Sequence, residues 1–142
     1  MASDRILKKT ILIQATTAQV WNALTNPEKI KEWLYGTNVK SDWKVGSSII
    51  FTGNWEGTEY IDKGTILKFE IEKVLQYNYW SSFSGLTDSA ENYSVLSFIL
   101  KQSDNATELT LEQSNFATEI MYEHSDKNWD STLDLLKKVV EN

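Results

Sequence analysis

TTAQVWNALTNPEKIKEWLYG, residues 16–36, decides the fold because it predicts two short consecutive helices, each with one tryptophan. Thr16 and Gln19 have the spacing of a capping box, in which each side chain bonds the backbone N–H of the other residue. Asn26 is a candidate cap for the second helix, and Pro27 occupies its first helical position, where a missing N–H costs nothing. The sequence therefore predicts a helix after Thr16 and another after Asn26.

The apolar faces of these helices indicate what they pack against. Trp21 shares a helical face with Leu24, and Trp33 shares one with Ile30. Helices this short are marginal in isolation, so they must be held by burial of those faces. We therefore expect both tryptophans to cover a β-sheet, and the second helix to end at Gly36.

Most of the remaining chain predicts antiparallel strands. Residues 5–15 are rich in β-branched residues, as strands are. From about residue 38 to residue 115 one strand pattern follows another. Residues 58–82 are too long for one strand, so we predict two strands that join near residues 70–73. Gly64 within this segment indicates a bulge or a close approach of two backbones.

The C-terminal segment returns to a helical period. Ser125 is a candidate N-cap, a start within TEIMYE (residues 118–123) is the alternative, and one apolar stripe follows. The predicted fold class is α+β, with a curved antiparallel sheet of about six or seven strands, two short helices after the first strand and a long C-terminal helix that closes the sheet. Residues 1–142 are predicted to form one domain. The apolar stripe of the C-terminal helix consists of Trp129, Leu133, Leu136 and Val140.

Composition limits the functions that the chain can have. Its net charge of −6 disfavours nucleic acid and anionic membrane surfaces as partners. The sequence contains no cysteine and a single histidine, His124, so we predict no metal and no cofactor. The N-terminus carries no secretory signal and no long apolar run, which predicts a cytoplasmic protein.

Alternation along the strands predicts which side chains face the interior between the sheet and the long helix. A buried amide at Gln113 needs a partner, because burying it unpaired costs on the order of 1–3 kcal/mol. That partner is a tyrosine hydroxyl or a backbone group in one interpretation, and a ligand's polar group in the other. Loop 82–92 is a candidate lid. The residues predicted to bind a ligand are Trp33, Phe51, Tyr60, Tyr77, Phe98, Gln113, Phe116, Trp129 and Leu133.

Candidate catalytic residues are few. His124 precedes the predicted helix cap, which favours an exposed structural role. Asp62 and Glu59 lie on a strand near Gly64, but no pair of acids with a catalytic spacing stands out. The sequence contains no phosphate-binding glycine loop, nucleophile elbow or HExxH motif. A binding protein is therefore favoured over an enzyme, and no catalytic residue is assigned.

Five segments carry a resemblance to a known family over nearly the whole chain, about Ile11 to Lys138. They are VWNALTNPEKIKEWL, SDWKVGS, DKGTILKFEIEKVLQYNYW, ATELTLEQSNF and NWDSTLDLLKK. Together they resemble the START-like (SRPBCC) superfamily, in the branch related to the C-terminal domain of the heat-shock protein 90 ATPase activator. The resemblance implies the helix-grip fold. One departure is Gly46-Ser47, where the family often has two glycines.

The resemblance implies three candidate functions. Relatives use their cavity to bind lipids, sterols, polyketides or other apolar molecules, and this is the favoured expectation. The activator domain contacts a chaperone, so a chaperone is a second possible partner. Some relatives catalyse cyclisation or hydrolysis, which ranks last because no titratable residue is nominated for the cavity.

Overall fold

The computed structural model describes residues 4–142, apart from the side chain of Trp55. Residues 1–3, with which the predicted domain starts, lie outside the described residues. Two single-turn 3₁₀ helices, Ser82–Ser84 and Ala90–Asn92, lie in the loop after the fifth strand. The strands are β1 (Leu7–Ile13), β2 (Asn38–Ser41), β3 (Ser48–Trp55), β4 (Thr58–Glu70), β5 (Val74–Ser81), β6 (Ser94–Ser103) and β7 (Ala106–Ser114), and the helices are α1 (Thr17–Thr25), α2 (Pro27–Trp33) and α3 (Glu119–Glu141).

All seven strands pair antiparallel in one sheet with the order β1-β7-β6-β5-β4-β3-β2. The first strand therefore lies beside the last, and β1 and β2 form the two edges. The three helices pack on the inner face of the sheet, where the core side chains of the strands meet those of the helices. The predicted α+β helix-grip class, with a curved sheet and a long C-terminal helix, is confirmed.

Both predicted N-terminal caps of the short helices are confirmed. The Thr16 hydroxyl accepts from the Gln19 N–H at 3.2 Å, and Gln19 Oε1 accepts from the Thr16 N–H at 2.9 Å. Asn26 Oδ1 accepts from the Glu28 N–H at 3.1 Å, with Pro27 at the first position of α2. These bonds satisfy N–H groups that have no partner inside a helix.

The C-terminal end of α2 differs by one residue from the prediction at Gly36. Tyr35 takes the left-handed position after the helix, with φ 52°. The N–H of Gly36 then donates back to the carbonyl of Lys31 at 3.0 Å, which is the long bond of a Schellman motif. Gly36 follows with φ 80°, so the chain reverses over two residues and presents Tyr35 toward α3.

The long predicted segment does divide at residues 70–73, as expected. Glu72 has φ 63°, and the Lys73 N–H donates to the Glu70 carbonyl at 2.9 Å, which closes a tight turn between β4 and β5. Gly64 lies where the backbones approach closely, since a Cβ there would be 1.6 Å from the Asn78 carbonyl oxygen. The register shifts after Ile66, not at Gly64 itself.

α3 starts within residues 118–123, the earlier of the two starts that the sequence leaves open. Thr118 is its cap, accepting from the Met121 N–H at 3.2 Å, and the helix begins at Glu119. Ser125, the predicted cap, therefore lies in the second turn. The prediction was wrong because Ser125 has the residue type of a cap, but Thr118 already caps two further turns. Leu133 and Leu136 face the core as predicted.

The middle and the C-terminal part of α3 are bound to the first strand by polar contacts. Lys9 Nζ lies 2.9 Å from Asp126 and 2.7 Å from Asp130, and these two hydrogen-bonded carboxylates raise the pKa of Lys9. Further along the helix, Lys137 Nζ donates to the Leu12 carbonyl at 2.6 Å.

Of the helices in residues 4–142, none combines the length and the apolar character needed to cross a membrane.

Candidate functional site

A pocket of about 450 Å³ lies between the inner face of the sheet, the C-terminal end of α2 and the N-terminal half of α3. Aromatic rings form much of its wall, and hydroxyl, amide and carboxyl groups interrupt them. Among the described residues, the wall consists of Trp33, Leu34, Tyr35, Thr37, Phe51, Asn54, Tyr60, Asp62, Tyr77, Tyr79, Phe83, Leu96, Gln113, Ser125, Asn128, Trp129 and Thr132.

Trp33 fixes the α2 side of the pocket. Its side chain is buried, and its indole N–H donates to the Ala23 carbonyl of α1 at 2.8 Å. Its ring meets Phe98 edge to face, with the centroids 6.4 Å apart. One tryptophan therefore joins the two short helices to each other and to the sheet. Trp21, in contrast, packs edge to face on Phe69, away from the pocket.

Gln113 fixes the α3 side. Its Oε1 accepts from the indole N–H of Trp129 at 3.0 Å, and its Nε2 donates to the Ser94 hydroxyl at 3.1 Å. Both ends of the amide are therefore bonded within the protein, to partners other than the predicted tyrosine or backbone group. The amide positions Trp129 against Phe98, whose ring lies 6.0 Å away.

The polar end of the pocket is built around Asp62 on β4. The side chain is only 8% exposed, and its Oδ2 accepts a hydrogen bond from the Tyr79 hydroxyl. Its Oδ1 is buried and has no hydrogen-bond partner within the described residues, the only side-chain oxygen or nitrogen there with that status. Beside it, the Thr37 and Tyr60 hydroxyls lie 2.6 Å apart.

The structure brings together six of the nine predicted ligand-binding residues, and their role in binding stays a prediction. The six on the wall are Trp33, Phe51, Tyr60, Tyr77, Gln113 and Trp129. The other three are buried but lie off the wall. Phe98 packs behind Trp33 and Trp129, Phe116 packs on Tyr122 at 5.4 Å, and Leu133 packs in the core beneath α3. Phe83 of the predicted lid loop also lines the pocket, 5.5 Å from the Tyr60 ring.

Asp62 is the wall residue that sequence reasoning undervalued. It alternates with Tyr60, Gly64 and Ile66 on the face of β4 that points inward, and that parity was available in the sequence. Glu59, weighed with it, is exposed, and His124 is exposed on α3. Within the described part of the chain, no three histidine, cysteine, aspartate or glutamate side chains are grouped so as to hold a metal ion.

Two tyrosines of the wall have shifted pKa values. Burial raises the pKa of Tyr77. Burial, and then the negative charge of Asp62, raise the pKa of Tyr79 well above its usual value. Both phenols therefore keep their protons, so that Tyr79 donates to Asp62 and the Tyr77 hydroxyl stays neutral in the pocket.

These raised pKa values predict a loss of stability at alkaline pH. In the unfolded chain a tyrosine releases its proton near pH 10, whereas Tyr77 in the folded protein does not, so the free energy of unfolding falls above about pH 10 by about 1.4 kcal/mol per pH unit for this residue. Urea titrations from pH 9 to pH 11 should show a shallower decline for Tyr77→Phe. Phe98→Leu changes a buried residue that has no hydroxyl, so its unfolding free energy should decline with pH as steeply as that of the unmodified protein. An equally steep decline for Tyr77→Phe would contradict the raised pKa of Tyr77.

The fold and the pocket define a class of protein. An antiparallel sheet that holds a long C-terminal helix, with two short helices closing one end, is the helix-grip fold of the START-like (SRPBCC) superfamily. The family model described as "Activator of Hsp90 ATPase homolog 1-like protein" matches residues 14–141. The chain therefore belongs to that family.

Solved structures agree with this assignment. The solution structure of ChR145 from Cytophaga hutchinsonii is 44% identical, covers 100% of this chain and 97% of its own, and has a TM-score of 0.84. CalU16 from Micromonospora echinospora is 23% identical over 98% of this chain and 76% of its own, with a TM-score of 0.77. The Aha1 dimer from Colwellia psychrerythraea is 21% identical over 96% of each chain, with a TM-score of 0.75. The last two show the fold alone. Comparison with curated proteins gave no match.

Proposed function

We propose that the protein binds an apolar or amphipathic small molecule in the pocket between the sheet and α3. The observation that carries this proposal is the pocket of about 450 Å³ with a largely aromatic wall. Ligand pockets of this size with apolar walls and a few convergent polar groups are the usual small-molecule sites of proteins. In this proposal residues 1–142 act as one START-like domain.

The position of the pocket supports the proposal. Its wall is built from three separate elements, the end of α2, the inner face of the sheet and α3, and two hydrogen bonds hold those elements in place. Trp33 bonds Ala23 and Trp129 bonds Gln113, so these indoles have their polar atoms paired and offer their rings to the interior. A preformed wall of this kind lowers the ordering cost of binding.

A ligand panel tests the proposal. Fatty acids, sterols, flavonoids and aryl alkyl amines are added to the protein, and thermal unfolding and titration calorimetry are measured. A ligand at about 100 times its Kd stabilises the folded state by about 2.7 kcal/mol, which for a chain of this size raises Tm by roughly 10 °C. At least one chemical class should give such a shift.

A matched pair of variants locates the binding. Ser125 lines the pocket, so Ser125→Phe fills part of it and should weaken any ligand at least about tenfold. Ser131 is exposed on the same helix, and Ser131→Phe should leave the affinity unchanged. Equal affinities for the two variants would place the ligand elsewhere, and no shift across the whole panel would reject the proposal.

A second candidate function, interaction with a chaperone ATPase, is favoured by the family match over residues 14–141. The two functions make different demands on the protein. Chaperone stimulation needs an external surface, so Ser125→Phe should leave the ATPase rate of an Hsp90-type chaperone unaffected. Measurement of that rate with and without the protein decides the second candidate independently of the pocket.

A further inference from the structure

The ionisable side chains of the pocket wall favour a cationic ligand over an anionic one. Among the described residues that line the pocket, Asp62 is the one acidic residue, and there is no lysine, arginine or histidine. An anionic ligand therefore meets no cation in the pocket and is repelled by the one carboxylate. The net charge of −6 for the whole chain acts in the same direction, since it attracts cations and repels anions.

The carboxylate of Asp62 is poorly compensated inside the protein. It receives one hydrogen bond, from Tyr79, and its Oδ1 receives none within the described residues. The neighbouring Lys63 points to the other face of β4, where it pairs with Asp88 and lies 5.7 Å from the Trp80 ring centroid. A buried carboxylate that accepts only one hydrogen bond is stabilised further by a second donor and by a nearby positive charge.

Aromatic rings surround the same end of the pocket. The Phe51 ring centroid lies 5.6 Å from that of Tyr79 and 5.7 Å from that of Tyr77, and all three residues line the pocket. Phe51 is also the cross-strand partner of Asp62. Ring faces attract cations electrostatically, most strongly where water is excluded, so rings and carboxylate together favour an ammonium group.

We propose, building on the function proposed above, that the pocket selects organic cations, namely a protonated amine on an apolar or aromatic body. The ammonium lies at Asp62 among the rings of Phe51, Tyr77 and Tyr79. The body extends toward Trp33 and Trp129. Asp62 Oδ1 has almost no exposed surface, so the carboxylate turns about its soft χ2 bond to meet the ligand. Fatty acids and other carboxylates are excluded.

Three probes with one body and different head groups test this proposal. Phenylbutylamine, phenylbutanol and phenylbutyrate are titrated into the full chain at pH 7. The amine should bind about tenfold to a hundredfold more tightly than the alcohol, the usual gain of a charge-assisted contact, and phenylbutyrate should bind most weakly. In Asp62→Asn the amine should lose that advantage, while the alcohol keeps its affinity within about threefold.

The control is Glu59→Gln, which removes an exposed carboxylate from the same strand and should leave the preference for the amine unchanged. A second variant, Tyr79→Phe, removes the internal donor to Asp62 and should increase the preference, which keeps the test informative if Asp62→Asn fails to fold. Equal binding of the three probes, or a preference for the amine that survives in Asp62→Asn, overturns the cation proposal but leaves a binding pocket in place. Binding of no probe and no member of the ligand panel overturns both proposals.

Discussion

Leu136→Ala is expected to lower the free energy of unfolding by about 2–5 kcal/mol, because it empties a volume that the surrounding core cannot refill. Leu136 is 0% exposed and belongs to the core cluster in which α3 meets the sheet. The loss has two parts, the transfer of the side chain from the core and the cavity that it leaves behind. Urea unfolding should show a lower midpoint with an unchanged slope.

The control for this variant lies two residues away on the same helix. Asp134 is exposed, and Asp134→Ala raises helix propensity without touching the core, so its effect should be within about 0.5 kcal/mol. If Leu136→Ala lowered the free energy of unfolding as little as Asp134→Ala, the result would contradict the packing of α3 on the sheet. The distinction matters for function, because α3 supplies one side of the pocket.

Gly64→Ala should destabilise the protein by about 3 kcal/mol, at the upper end of what overpacking costs. The added Cβ would lie 1.6 Å from the carbonyl oxygen of Asn78 and 2.7 Å from its carbonyl carbon. These are backbone atoms of the neighbouring strand, so no side-chain rotation relieves the clash and β4 has to move away from β5.

The movement would also reach the pocket. Gly64 lies two residues after Asp62, and Asn78 directly precedes Tyr79, so separation of the strands at this point disturbs the Asp62–Tyr79 contact. Thr65→Ala is the matched control, since Thr65 is the next residue and its side chain points to the other face of β4. The Tm of both variants is measured by thermal unfolding, and Gly64→Ala should have the lower Tm. Equal Tm values would contradict the close approach of the β4 and β5 backbones at Gly64.

The sequence predicts the architecture well because its local signals agree with one another. Thr16 with Gln19, and Asn26 with Pro27, are capping patterns with few other uses, and the structure contains both. The turn near residues 70–73 followed from length alone, although no glycine or proline marks it. There Glu72 adopts a positive φ without a glycine.

The wall of the pocket is predicted less well, because burial in a curved sheet depends on distance from the helix as well as on strand parity. Phe98 has the correct parity, yet Trp33 and Trp129 cover it. Phe116 and Leu133 are also buried in the core but do not line the pocket. Asp62 shows the opposite error, since an acidic residue is usually exposed and only its position between Tyr60 and Gly64 indicates otherwise.

The edges of the open sheet have a consequence for how the protein behaves at high concentration. Unpaired backbone groups at an edge invite a strand from a second molecule, which is the first step toward fibrils. Here one edge, β2, is only four residues long and includes Lys40, and the other, β1, carries the exposed Lys8. The short length of β2 and the lysine side chains on both edges oppose such pairing, so we expect the open sheet to resist edge-to-edge association.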